Sequence, residues 1–277
     1  MTFFTVTLFL CFANTVTSAP TTNSTNGDAT PCLTEFYEAA YDLEFDCTES
    51  YDFFSNDLTA QHNAFKIGKD CFLQVAKAKC TPAEYKTISS KYDDFLSVLT
   101  IKPANDDECT SSYYKYNSLR CQPMLKQFGM DTLKFALAQV DQNDAGLLEF
   151  LDLCDETAEC VASGCNSTDV VSNGIKETCD GMELKNSAFF VCTMKIEKER
   201  PDMSGYKCLG GTNYYDPSLE VTTELVTTKK MCTKEIYETI CGKAALYNFD
   251  KFAEMSLEGA LKNAQAKQLL QQVLNEK

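Results

Sequence analysis

Apolar residues recur along this chain at spacings of three, four and seven rather than in alternation, which marks amphipathic helices. Tyr51, Phe54, Leu58 and Phe65 fall on one helical face, and Tyr85, Ile88, Tyr92, Phe95 and Leu99 form a second stripe. Leu133, Leu137 and Val140 begin another, which Leu147, Phe150, Leu151 and Cys154 continue beyond Gly146. Leu257, Leu261 and Ala264 start a C-terminal helix with room to run past Leu270. Strand-type alternation is nearly absent. The pattern predicts an all-α protein.

Residues 1–18 break this pattern with an apolar run from Phe3 to Ala13 and no charged side chain. That run is too short to span a bilayer, for which about 20 residues are needed, and it reads as a signal peptide cleaved after Ser18. Residues 19–31 are polar and aperiodic, the composition of a flexible leader. No later stretch is long and apolar enough to span a membrane, so the expected product is secreted and extracellular. Asn23 and Asn166 each open an Asn-x-Ser/Thr sequon and are candidate glycosylation sites.

Of the 15 cysteines, Cys11 leaves with the signal peptide. The remainder are Cys32, Cys47, Cys71, Cys80, Cys109, Cys121, Cys154, Cys160, Cys165, Cys179, Cys192, Cys208, Cys232 and Cys241. An even count in an oxidising compartment predicts disulfides. Structural metal sites need paired ligands such as C-x2-C, a spacing absent here, and the chain has a single histidine. No metal and no cofactor is expected.

The cysteine spacing repeats. Cys47, Cys71 and Cys80 are separated by 24 and 9 residues, and so are Cys208, Cys232 and Cys241, at an offset of 161. At the same offset of 161, Phe53-Phe54 answers Tyr214-Tyr215, Leu58 answers Leu219, Lys69 answers Lys230 and Val75 answers Ile236. This predicts a duplicated half-domain. Residues 32–101 then form a partial, half-length cysteine-rich helical repeat, 102–108 a polar linker, and 109–277 one complete copy with the C-terminal helix. On one helix Cys71 and Cys80 would stand about 13.5 Å apart, beyond the roughly 7 Å that a disulfide allows between Cα atoms. Each should therefore reach back to Cys32 or Cys47, and Cys232 and Cys241 to Cys192 or Cys208.

The formal charge of −15 disfavours nucleic acid and anionic membrane surfaces as partners. Any imidazole-based mechanism would rest on His62 alone, which lies four residues after Leu58 on a helical stripe. No catalytic residue is assigned. Asp141, Asn143, Gly146, Leu148 and Asp152 occupy positions 1, 3, 6, 8 and 12 of a calcium-loop pattern. Ala145 stands where an oxygen ligand is wanted, and a polar break between two helices with Gly146 at the turn is the competing reading. Tyr113, Tyr114 and Tyr116, and Tyr214-Tyr215, are candidates for an exposed contact patch.

Several motifs carry a family resemblance. They are Phe189-Phe190-Val191-Cys192-Thr193-Met194-Lys195-Ile196, Lys207-Cys208-Leu209, Tyr215-Asp216-Pro217, and the run from Cys232-Thr233-Lys234-Glu235-Ile236 to Cys241-Gly242. The stretch from Cys109 to about Phe252 resembles the nematode-specific secreted cysteine-rich domain of unknown function, family nineteen. Cys32–Cys80 is similar to it as a partial copy lacking the Glu-Ile and closing Gly. The resemblance implies secretion and a disulfide-stapled fold, and it carries over no catalytic residue. The expected function is that of a non-enzymatic extracellular binding or interaction module for a protein or glycan. The alternatives are a carrier of a small apolar ligand and a secreted enzyme of unrecognised type.

Overall fold

The computed structural model describes residues 29–104, 109–164 and 168–275. The predicted signal peptide (1–18), most of the predicted leader (19–31), residues 105–108 of the predicted linker (102–108), Asn23, Asn166 and Cys165 lie outside the described residues. The described residues are helical, with no strand among them, so the protein is all-α and disulfide-stapled. They divide into two compact units, one of residues 29–134 and 149–179, the other of residues 135–148 and 180–275. These differ in extent from the divisions 32–101 and 109–277 drawn from the sequence.

In the first unit, helix α1 (Thr30–Tyr41) begins inside the end of the leader, with Pro31 in the first turn, where its missing N–H costs nothing. Helix α2 (Leu58–Ile67) starts at Leu58 because the Asp57 side chain accepts a hydrogen bond from Ala60 N at 2.8 Å. Tyr51 and Phe54 therefore precede the helix instead of sharing its face, and Phe53, not Phe54, enters the core. Helix α3 (Lys69–Lys79) is followed by α4 (Pro82–Ser90), opened by a Thr81/Glu84 capping box. The predicted stripe Tyr85–Leu99 is split at Lys91 between α4 and α5 (Tyr92–Thr100), yet Ile88, Tyr92, Phe95 and Leu99 are all buried.

Phe36, Phe53, Phe65 and Phe72 form the centre of this unit, with ring centroids 4.6–5.8 Å apart among the contacting pairs. Burying each such side chain stabilises by about 1.5–3 kcal/mol relative to exposure. Helix α6 (Ser112–Arg120) packs on both α1 and α5. That packing is why the compact unit runs past residue 108.

Helix α7 (Gln122–Leu137) corrects another stripe. Leu133 and Leu137 are 56% and 82% exposed, and the buried face is instead Met124, Thr132 and Phe135. The polar Thr132 in that face masks its period. Helix α8 (Ala145–Ala162) follows, and helix α9 (Thr168–Asn186) comes next in the chain.

The second unit carries α10 (Ala188–Glu199), a 3-10 turn (Lys207–Leu209), α11 (Leu219–Val226), α12 (Lys230–Cys241) and α13 (Phe249–Asn275). Phe189, Ile196, Ile236, Tyr237, Phe249 and Phe252 form its core.

The repeat is physical. At the offset of 161, three elements of the first unit start where three of the second do: 3-10 turns at Asp46 and Lys207, helices at Leu58 and Leu219, and helices at Lys69 and Lys230. The bridges match as well. Cys32–Cys80 encloses Cys47–Cys71, and Cys192–Cys241 encloses Cys208–Cys232. Cys71 and Cys80 each reach back, as helical geometry requires. The pairs Cys121–Cys160 and Cys154–Cys179 interleave instead of nesting, and Cys109 is also disulfide-bonded.

Candidate functional site

The loop from Arg200 to Tyr215, between α10 and the start of α11, folds back on itself around an open cleft of about 550 Å³. It has the size of an Ω-loop, a compact surface loop whose ends approach each other. The ends are closed by the Tyr215 hydroxyl, which donates to the Pro201 carbonyl. The middle is pinned three ways: by the Cys208–Cys232 disulfide, by Thr212 Oγ1 donating to Glu224 at 3.1 Å, and by Lys229 Nζ donating to the Leu209 carbonyl at 2.6 Å.

Local backbone chemistry sets this loop apart from its counterpart in the first unit. Gly210 and Gly211 have φ of +60° and +92°, a region where a side chain is strained. At the repeat offset their counterparts are Glu49 and Ser50, which lie in the 3-10 turn Asp46–Ser50. The second unit's turn ends at Leu209, and the chain swings outward through the two glycines. Arg200, at φ +45°, is a further left-handed residue and caps α10.

Met203 and Leu209 are buried beneath the cleft, while Arg200 and Lys207 are exposed at its rim. The Arg200 guanidinium lies 5.1 Å from the centroid of the Tyr215 ring, a cation–π contact. The Ser204 backbone N–H and hydroxyl hold the Asp202 carboxyl below the usual carboxylate range, so it stays ionised and internally bonded. Burial pushes the Tyr214 hydroxyl far up, and it sits beside Tyr237, whose hydroxyl is 2.8 Å from that of Thr193. The cleft thus offers cations, aromatic faces and an apolar floor, arranged on a tethered backbone.

Of the residues singled out from sequence, Tyr214 and Tyr215 line this cleft. Tyr113 and Tyr116 do not form an exposed patch. Both are buried, Tyr116 accepting from Ala29 N, and only Tyr114 is half-exposed. His62 Nδ1 is 2.8 Å from Thr100 Oγ1, a contact between α2 and α5. The calcium-like run is a helix start: Asp141 accepts from Asn143 N, Asp144 caps Leu147 N at 3.0 Å, and Gly146 lies within α8 rather than at the turn. Loop positions 5 to 12, Ala145 to Asp152, are therefore wound into a helix. Among the described residues no group of three or more His, Cys, Asp or Glu is placed to hold a metal ion. Arg200, Met203 and the glycine pair were not singled out. The signal for them was the replacement of Glu49-Ser50 by Gly210-Gly211 within an otherwise matching repeat.

No curated protein and no solved structure matches the chain. Among the described residues no helix is long and apolar enough to cross a membrane. A protein-family profile matches at residues 12–110 and again at residues 109–261. Two consecutive matches over most of the sequence place the chain in the family described as Domain of unknown function (DUF19).

Proposed function

We propose that this protein is a secreted, non-enzymatic binding module that uses the Arg200–Tyr215 loop to hold a segment of an extracellular protein. The cleft is the observation that carries the reading. Its floor suits an apolar side chain, and Arg200 and Lys207 at the rim suit a neighbouring acidic group. A loop pinned by a disulfide and by hydrogen bonds loses little freedom on binding, so less of the interaction energy goes to ordering it. Disulfides throughout the chain fit an oxidising, extracellular setting. Asn23 and Asn166 are proposed to carry glycans in that setting.

The test is selection of a displayed random-peptide library on the full chain produced by eukaryotic secretion. Selected peptides should pair an acidic with an apolar or aromatic residue. Arg200→Glu and Tyr215→Ala should each weaken them at least tenfold, with unchanged circular dichroism. Peptides that bind both variants as well as the parent would remove the loop as the site. Native mass spectrometry of the same protein tests the carrier alternative: a small-molecule mass lost on denaturation would move the reading there.

A further inference from the structure

Among the described cysteines only Cys208 is exposed; Cys47, Cys80, Cys109 and Cys241 are half-buried and the rest are buried. Its bond to Cys232 is the covalent tether of the Arg200–Tyr215 loop. The repeat supplies an internal comparison. Cys232 is the third residue of α12 and Cys71 the third residue of α3, and each is bonded to a cysteine 24 residues earlier. The partners differ. Cys47 sits inside the 3-10 turn Asp46–Ser50, half-buried against the core of the first unit. Cys208 sits in a turn that ends at Leu209, where Gly210 and Gly211 take the chain away.

Both cysteines at the helix starts are good leaving groups, because the partial positive charge of a helix N-terminus stabilises a thiolate. Cys208 has the opposite setting. Its Sγ lies 3.8 Å from Glu235 Oε2, and a neighbouring carboxylate favours the neutral thiol. Thiol–disulfide exchange needs a sulfur that the attacking thiolate can reach, and it is faster when the displaced thiol has the lower pKa. Access and leaving group thus select one direction here, attack at Cys208 with loss of Cys232.

We propose that Cys208–Cys232 is a redox latch on the loop, opened by an extracellular dithiol, and that opening it loosens the cleft. As a regulation of that cleft, it rests on the reading of the loop as the binding site. One thiolate of the dithiol bonds to Cys208 Sγ, the Cys208–Cys232 bond breaks, and its electron pair leaves on Cys232. The second thiolate attacks the first sulfur of the same reagent, closing the reagent's own disulfide and expelling Cys208 as a thiolate. Two electrons pass to the protein. Of the reagent's two protons, one is taken up by Cys208 and the other by Cys232 or by water. The Cys208 thiol then donates to the Glu235 carboxylate, which favours the opened state. The loop is left with hydrogen bonds from Lys229 to the Leu209 carbonyl, Thr212 to Glu224 and Tyr215 to the Pro201 carbonyl. Met203 and Leu209, the floor of the cleft, lie on the released stretch.

Titration of the native full chain with dithiothreitol, quenched by iodoacetamide and mapped by mass spectrometry, tests the latch. Cys208 and Cys232 should be alkylated first, about tenfold or more faster than Cys47 and Cys71, the same bridge without an exposed cysteine. Hydrogen exchange of the singly reduced protein should rise in residues 202–213 and not in the first unit. The double variant Cys208→Ser and Cys232→Ser should show the same rise; should it not fold, the singly reduced parent decides. Reduction of Cys47–Cys71 at an equal or greater rate would overturn the proposal. So would an opened Cys208–Cys232 bridge that leaves exchange in the loop unchanged. Peptides selected on the parent should bind the reduced form about tenfold or more weakly, since a loosened loop must be ordered again on binding. Equal affinity for both forms would overturn the latch. A parent that selects no peptide counts against the binding reading, while the order of reduction and the exchange still decide the latch.

Discussion

Cys80, at the end of α3, is bonded to Cys32 in the first turn of α1, with Cα atoms 4.8 Å apart across 48 residues of chain. Between them lie the turn at Gly68 and the aromatic centre of the first unit. Closing a loop of that length restricts the unfolded chain by about 4 kcal/mol. The double substitution Cys32→Ala and Cys80→Ala should lower the stability of the first unit by roughly that amount. Urea unfolding followed by tyrosine fluorescence reads it. A loss under about 1 kcal/mol would mean that the helices around Phe36 hold the ends together without the bridge.

Gly68 joins α2 to α3 where no side chain fits. A Cβ there would stand 2.6 Å from the Ala64 carbonyl oxygen and 2.8 Å from the Tyr51 ring. Neither can yield without moving backbone or the aromatic centre. Gly68→Ala should therefore cost about 1–3 kcal/mol, the range for overpacking. Gly129 lies within α7 with nothing inside 4 Å of the added carbon. Gly129→Ala should instead stabilise by about 0.5–1 kcal/mol, through helix propensity and a less free unfolded chain. Opposite shifts in melting temperature are the expected readout, and shifts of the same sign would defeat the packing argument.

Phe53 and Phe54 show what sequence pattern can and cannot carry. Their helical phase with Leu58 and Phe65 points to Phe54, but Asp57 starts the helix later and the turn before it presents Phe53 to Phe36 and Phe65. Phe54 packs at the margin, against Tyr37 and Tyr41. Phe53→Ala should cost about 3–5 kcal/mol, and Phe54→Ala distinctly less. Equal costs in denaturant titrations would contradict the placement.

Helical class, the reach of Cys71 and Cys80 back to the first two cysteines, and the repeat were legible because cysteine spacing and helix period are local signals, whereas nested and crossed pairings fit that spacing equally and only the fold selects the nested one. At the offset of 161, Leu58 and Lys69 begin helices just as Leu219 and Lys230 do. Leu133 and Leu137 misled because an apolar residue on a helix is not bound to face inward, while the true inward face held Thr132. The cleft was half legible. Tyr214-Tyr215 stood out, but Arg200 and Gly210-Gly211 gain meaning only when the loop closes through Tyr215 and Pro201. The burial of Arg120 was invisible, since a lone arginine on a helix is ordinarily exposed.

Asp250, in the first turn of α13, accepts from Lys234 at 2.8 Å and pairs with Lys230 at 3.0 Å, two lysines one turn apart on α12. Those hydrogen bonds hold its carboxyl below the usual carboxylate range. A carboxyl whose folded pKa is depressed contributes stability above the unfolded value, near ~3.9, and loses it as pH falls through the folded one. The pair is exposed, so its contribution is screened and stays under about 1 kcal/mol. Asp250→Asn should thus be slightly less stable than the parent at pH 7, and the difference should vanish once both are below the folded pKa. Lys234→Met should return the carboxyl toward its ordinary value in a carbon-detected NMR titration. A deficit in Asp250→Asn that persists undiminished into strong acid would show that the side chain acts through shape or helix capping, not through its charge.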